Sequence, residues 1–373
     1  MSSALTDLLQ LPIVQAPMAG GVSVPRLAAA VSDAGGLGFL AAGYKTADGM
    51  YQEIKQLRSL TQRPFGVNLF LPQPEYPGAS TGSTGAAGAA PSNAAAVDVY
   101  AHQLAGEASW YETELGDPDS GRDDGYEAKL AVLLDNPVPA VSFHFGVPGP
   151  EVLDSLRRAG TFTLVTATTV DEAVAVEQAG ADAVIVQGVE AGGHQGTHRD
   201  LAERDCAGLG LLALLAQVRE AVNVPLVAAG GVMRGSQIAA VLAAGASAAQ
   251  LGTAFLATPE SGAADVHKQA LTNPLFVRTE LTRAFTGRPA RGLVNRFMRE
   301  HGPYAPAAYP EVHHLTSPLR KAAAKAGDAQ GMALWAGQGH RMARELPAGQ
   351  LVQVLMGELD AAWTALSTGG RER

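Results

Sequence analysis

Cysteine is nearly absent: the 373 residues contain one, Cys206. A disulfide within the chain is excluded, and a reducing, cytoplasmic setting fits. Charge is sparse as well, at 17% of residues, and the basic side is the weaker, with 27 Lys and Arg against 36 Asp and Glu. The formal net charge is −9 and the basic residues form no long block. Nucleic acid and anionic membrane are therefore poor candidates for the main partner. No apolar run is long and uninterrupted enough to span a bilayer. The opening MSSALTDLLQLPIVQAPM lacks the basic start and long apolar core of a signal peptide. What the chain does have is apolar residues, 47% of the total, and 43 glycines. That is enough for a sizeable core, in one large domain plus a smaller one or in two ordinary domains.

Eight short apolar runs recur: PIVQAPM (12–18), GLGFLAAG (36–43), PFGVNLFLP (64–72), AVSFHFGVP (140–148), TFTLVTATT (161–169), ADAVIVQG (181–188), PLVAAGGV (225–232) and ASAAQLGTAFL (from 246). Their hydrophobicity is continuous rather than alternating, as in parallel strands buried on both faces. Stretches of helical character such as VPRLAAAVSDA, PEVLDSLRRAG, VDEAVAVEQAG and GSQIAAVLAAG separate them, several closing on glycine. This rhythm predicts an α/β fold, a (β/α)8 TIM barrel over residues 1–262, with a doubly wound open sheet as the competitor. The Gly/Ala/Ser/Pro-rich stretch 73–96 reads as a loop inserted after the third strand. The helical VDVYAHQLAGEASWYETELG after it is expected to cover that side of the barrel. Beyond 262 the alternation stops. Residues 263–345 read as a smaller, mainly helical second domain over the barrel mouth, and 346–373 as a C-terminal helix packed back on the barrel.

Barrels of this kind carry function at the C-terminal ends of their strands. Three glycine-bearing segments lie there: AGGH (191–194) after the sixth strand, AAGGV (228–232) closing the seventh and QLGT (250–253) in the eighth. Backbone N–H groups left open by glycine can cradle a phosphate, and Thr253 adds a hydroxyl. Each segment alone could be no more than a tight turn; three at adjacent strand ends favour phosphate. Asn68 and Gln187 interrupt apolar strands, so each amide must find a partner in the core or on a ligand. Met18, in APMAGG, is core filler if taken alone. His194, directly after two glycines, stands where a proton could be moved beside a bound anion. His144 fits the same pocket or the core equally.

LPIVQAPMAGG, VSFHFGVP, QGVEAGGHQG, AAGGV, AAQLGTAFLATPES and TRAFTGRPARGLVN stand in order from residue 11 to about 297. Jointly they resemble the nitronate monooxygenases, formerly 2-nitropropane dioxygenases, and their bacterial class I group in particular. The resemblance implies a flavoprotein barrel that uses FMN and O2 to oxidise alkyl nitronates to a carbonyl compound and nitrite. Nitroalkanes and propionate 3-nitronate are further substrates it admits. It places the FMN phosphate against Gly192, Gly193, Gly230, Gly231, Gln250, Gly252 and Thr253, and the ring system against Met18, Asn68 and Gln187. His194 matches the family's active-site histidine. No metal is implied, and a homodimer stays open.

Other residues read as structural. His198 has no partners at metal-ligand spacing. His313 and His314 read as a solvated loop pair. Cys206 has nothing beside it to lower its pKa. Arg288 and Arg291 read as holding the two domains together more readily than as an anion site. The rival function is an NAD(P)H-dependent FMN reductase of enoyl thioesters or quinones, since flavin-dependent enoyl reductases share the GGH segment. A binding barrel without catalysis is the second rival.

Overall fold

The computed structural model describes residues 5–73, 93–200 and 208–369. In chain order the strands are β1 (Ile13–Gln15), β2 (Gly38–Ala41), β3 (Phe65–Phe70), β4 (Ala140–His144), β5 (Phe162–Ala167), β6 (Ala183–Gln187), β7 (Gly193–His194), β8 (Leu226–Ala229), β9 (Ala248–Leu251), β10 (Thr279–Thr282) and β11 (Ala290–Leu293). Eight of them form one parallel sheet in the order β1-β9-β8-β6-β5-β4-β3-β2. The circle closes where Val14 bridges Leu37, with Gln15 N donating to Leu37 O at 2.9 Å. Main-chain pairing is short at that seam, and the buried Gln15 side chain reinforces it: Oε1 accepts from Phe39 N at 3.0 Å and Nε2 donates to Ser23 Oγ at 2.9 Å. The chain is a TIM-like barrel.

Successive strand residues point to opposite faces, and here both faces are apolar. Val14, Phe39, Leu164, Ile185 and Val227 pack inside the barrel with Leu5 and Leu8 of the N-terminal helical turn. Ile13, Leu40, Val67, Val165, Val184 and Leu226 face the helix layer, meeting Leu27, Leu156, Val176, Leu215 and Ile238. Double burial is why the sequence runs looked continuous. Space inside is tight. A Cβ on Gly66 would stand 2.2 Å from the Phe39 ring, so only glycine leaves room for that aromatic.

After β9 the chain builds a cap. Its helices are Asp265–Thr272, Arg296–His301 and Glu311–Lys325, and β10 and β11 form a three-stranded antiparallel sheet with β7 from the barrel. The helix Asn93–Trp110 corrects the expectation that it covers the barrel side. Its buried Val97, Tyr100 and Leu104 cluster with Phe285, Phe297, Val312 and Leu315 of the cap. The inward acid Glu107 accepts from Arg296 Nη2 at 2.9 Å and lies 3.2 Å from His301 Nε2, tying the same helix to the cap. Glu107, Glu300 and His301 bring their ligand-type atoms within 4.8 Å of one another, but the Arg296 guanidinium is bonded to both carboxylates, so the cluster is an ion-pair network. The last helix, Ala348–Gly369, lays Leu351, Val352, Leu355 and Leu359 on the barrel helices Gly235–Ala243 and Pro25–Asp33. No helix among the described residues is long and apolar enough to cross a membrane. The greater part of the 73–96 stretch, residues 74–92, lies outside the described residues, as does Cys206.

Candidate active site

The strand ends and the cap enclose a cavity of about 950 Å³. Parallel register brings the sequence segments together. Gln187 of β6 pairs with Ala229 of β8, Ala229 with Gln250 of β9, and Leu251 with Gln15 of β1. The loops that follow these strands are therefore neighbours, and Met18, Gly192, Gly193, Gly230, Gly231, Gly252 and Thr253 line one wall. Gly193, Gly230 and Gly231 have φ of 73°, 132° and 69°, in the region that favours glycine. Gly192 serves a different need. A Cβ there would meet Gly337 N at 2.5 Å, so its missing side chain lets the cap segment Ala336–Gly337 close on the loop. Thr253 Oγ1 accepts from Gly337 N at 2.9 Å, so the cap also pins the opposite side of the cradle.

Three amides face this space. Asn68 Nδ2 donates to Ser142 Oγ at 2.9 Å, which leaves Oδ1 as the atom for a ligand. Gln187 holds the GGH loop, donating to His194 O at 3.2 Å and accepting from Gly196 N at 2.7 Å; its second N–H remains to serve a ligand. Gln250 Oε1 is buried without a hydrogen-bond partner. An acceptor sealed from water and unpaired costs about 1–3 kcal/mol, so a donor brought by a ligand answers it.

His194 sits on β7, whose pairing with β11 sets Ala290 opposite it. Its ring lies 5.6 Å from Phe145, 5.7 Å from Tyr309 and 5.8 Å from Trp335, centroid to centroid. Nε2 is 2.9 Å from Thr286 Oγ1. Burial, with the positive charges of Arg288 and Arg320, holds the imidazole pKa well below its ordinary value, so the ring is neutral. His144 lines the same cavity and bonds the His194 backbone; burial, then Arg288, push its pKa down to about 3. Arg288 is fully buried, stacks 4.1 Å over the Phe145 ring and donates to Gln73 Oε1 at 2.6 Å. Arg291 donates to Val189 O at 2.8 Å, and both arginines bind cap to barrel. His198 is tied to Thr166 O at 2.8 Å.

The reading of His313 and His314 as a solvated loop pair is corrected. Both lie in the helix Glu311–Lys325, and His313 is buried, stacked on Tyr44 at 3.9 Å with 9° between the rings. The helix periodicity places His313 on its inner face, a fact that a look at the HH dipeptide alone conceals. Tyr44, Thr286, Tyr309, Arg320 and Trp335 around the imidazole were also missed. Thr286 had a signal in the FTGRP segment; the others come from distant chain with no local signature.

A family model described as nitronate monooxygenase matches residues 2–358. A nitronate monooxygenase from Pseudomonas aeruginosa is 43% identical over 373 aligned residues, covering 96% of this chain and 99% of that protein. One from Paraburkholderia phytofirmans is 41% identical, covering 95% and 94%. The crystal structure of a nitroalkane oxidase from Streptomyces ansochromogenes superposes with a TM-score of 0.92 at 78% identity, covering 98% and 100%. FabK from Thermotoga maritima superposes with a TM-score of 0.73 at 28% identity, covering 98% of each chain.

Proposed function

The chain belongs to the nitronate monooxygenase family, and from that premise we propose that it oxidises alkyl nitronates with O2, using FMN, to a carbonyl compound and nitrite. The observation that carries the reading is one cavity lined both by the glycine cradle and by a neutral, buried imidazole.

The residues present fit FMN. Gly192, Gly193, Gly230, Gly231, Gly252 and Thr253 would hold the phosphate beside Gln250. Met18, Asn68 and Gln187 would meet the ring, and the orphaned Gln250 oxygen calls for a donor from the ligand. When bound, FMN supplies the electron-transfer chemistry, and the protein supplies orientation and a dry site.

The side chains set which form of substrate is preferred. Burial first, and then the positive charges of Arg288 and Arg320, lower the His194 pKa, and those two charges also favour an anion over a neutral molecule beside the ring. A nitronate is an anion and a nitroalkane is not. A base of depressed pKa is also a weak one, so removing the α-proton from a neutral nitroalkane is the harder task. Pre-formed nitronate is therefore the better substrate. With neutral nitroalkane, His194 accepts the α-proton while the C–H electron pair moves onto the nitro group, and the anion formed lies in the stabilising field. Phe145, Tyr309 and Trp335 surround the ring with apolar faces. The single cysteine fits a cytoplasmic enzyme.

Oxygen uptake tests the proposal. The purified protein should release FMN on heating, and should consume O2 and form nitrite with ethyl nitronate in the absence of NADH. FAD, no flavin, or no uptake with any nitronate would overturn it. Rapid anaerobic bleaching of the flavin by NADH, without nitronate turnover, would establish the reductase alternative.

A further inference from the structure

The His194 ring has two nitrogens, and the protein holds one. Nε2 lies 2.9 Å from Thr286 Oγ1. Nδ1 has no hydrogen-bond partner among the described residues, yet it is not sealed from the cavity as are the unpaired Nδ1 atoms of His301 and His340. The Thr286 hydroxyl has one hydrogen to give. Arg288 O, which can only accept, lies 3.2 Å from the same Oγ1, and Arg288 N–H approaches it at 3.5 Å. All three contacts are met together only if the hydroxyl donates to Arg288 O and accepts from Nε2–H.

The turn that carries Thr286 is locked. Gly287 has φ of 79°, and a Cβ there would stand 2.2 Å from Ala308 O. Gly287 N donates to Arg283 O at 2.8 Å, and the Arg283 guanidinium grips both oxygens of Asp200 at 2.6 and 2.7 Å. On the far side, Gln195 N donates to Pro289 O at 2.8 Å, so the hydroxyl and the imidazole belong to one paired strand unit.

We propose that Thr286 is a positioning residue that fixes His194 in the Nε2–H tautomer, so that Nδ1 presents its lone pair to the bound nitro compound. The inference rests on the reading of His194 as the group beside the substrate's α-carbon. When a neutral nitroalkane is deprotonated, the Cα–H bond breaks, its electron pair moves onto the nitro group and the proton goes to Nδ1. The imidazolium keeps its Nε2–H on Thr286, and no atom of the turn needs to move. A ring in the opposite tautomer would offer the cavity an N–H donor and no base.

The test compares FMN-loaded wild type, Thr286→Val and Thr286→Ser. Valine keeps the branched shape without the hydroxyl, and serine keeps the hydroxyl. Long-range ¹H–¹⁵N correlation spectra of histidine-labelled protein, assigned by the peak missing from His194→Asn, read the tautomer directly. The expected result is Nε2–H in wild type and Thr286→Ser, and a mixture in Thr286→Val. Turnover of neutral nitroalkane should fall about tenfold in Thr286→Val, the lower end of the loss seen when the partner that orients a metal-ligating histidine is removed. Pre-formed nitronate should be little affected, and serine should restore most of the loss. An Nδ1–H tautomer in wild type overturns the proposal, even if Thr286→Val does not fold. So does an unchanged tautomer in the valine variant, equal loss on both substrate forms, or failure of serine to rescue. The functional reading itself fails separately, if wild type does not oxidise nitronate at all.

Discussion

Replacing His267 by glutamine should make the protein more tolerant of acid, by an amount set by one buried imidazole. His267 lies in the helix Asp265–Thr272, is 7% exposed, and its Nε2 is 3.0 Å from Trp335 O. A carbonyl accepts only, so Nε2 donates, and a glutamine amide can supply the same donor. Burial pushes the pKa down from 6.5 to about 4, partly offset by the bond to Trp335. Above pH 6.5 the group is neutral in both folded and unfolded chains and has no effect on the balance. As the pH falls from 6.5 towards 4, the unfolded chain takes up a proton that the folded one refuses, and stability drops. Each such proton is worth about 1.4 kcal/mol per pH unit, so the full window costs about 3 kcal/mol. His144 and His194, also depressed by burial, push in the same direction, so the wild type should be steeply acid-sensitive. Urea unfolding of FMN-saturated wild type and His267→Gln at a series of pH values gives the difference. The variant should gain about 3 kcal/mol relative to wild type between pH 7 and pH 4. Parallel pH profiles would refute the reasoning.

Two glycine substitutions should part company. Gly287→Ala must adopt φ of 79° with its Cβ 2.2 Å from Ala308 O, and should lower stability by about 2–5 kcal/mol in denaturant unfolding. Gly252→Ala places its Cβ 3.5 Å from Ala16 Cβ, ordinary contact, and should stay within about 0.5 kcal/mol of wild type; equal effects would show that these clearances do not govern stability. Glu107→Gln should cost about 1–3 kcal/mol at pH 7, because Arg296 and His301 lose their shared carboxylate. Arg296 holds the Glu107 carboxyl pKa below its ordinary value, so that stabilisation is complete above the usual carboxylate range and disappears as the pH falls through the folded-state pKa. The gap between wild type and variant should therefore close in acid, and a gap that widened would contradict the ion-pair account.

Much of the barrel was legible because double burial writes itself into single runs. AVIV and LVAA carry no polar residue, and each became part of a strand of the sheet. Glycines at adjacent strand ends were legible for the same local reason. What stayed hidden was long-range. The pairing of β7 with β11 joins a two-residue strand to a segment about a hundred residues later, and nothing in AGGH announces a partner. The helix Asn93–Trp110 carries an ordinary apolar stripe, and the stripe does not say whether barrel or cap will cover it. His313 read as half of a solvated pair because the HH dipeptide on its own is polar. Its burial follows from the stacking partner Tyr44, which is remote in sequence and held at a φ of 65°.

The most direct test of the central claim, that His194 is the proton-handling group of a nitronate-oxidising cavity, is oxygen uptake by His194→Asn at FMN occupancy matched to wild type. Neutral nitroethane and pre-formed ethyl nitronate are compared. Asparagine keeps a polar group of similar size, so the cavity and its glycine cradle should retain the cofactor. Deprotonation is needed for the neutral form alone, and general-base catalysis contributes about 10²–10⁴-fold. The account expects a loss of that order with nitroethane and a much smaller loss with the nitronate. Parent rates on both forms would contradict it, because His194 would then have no part in the reaction.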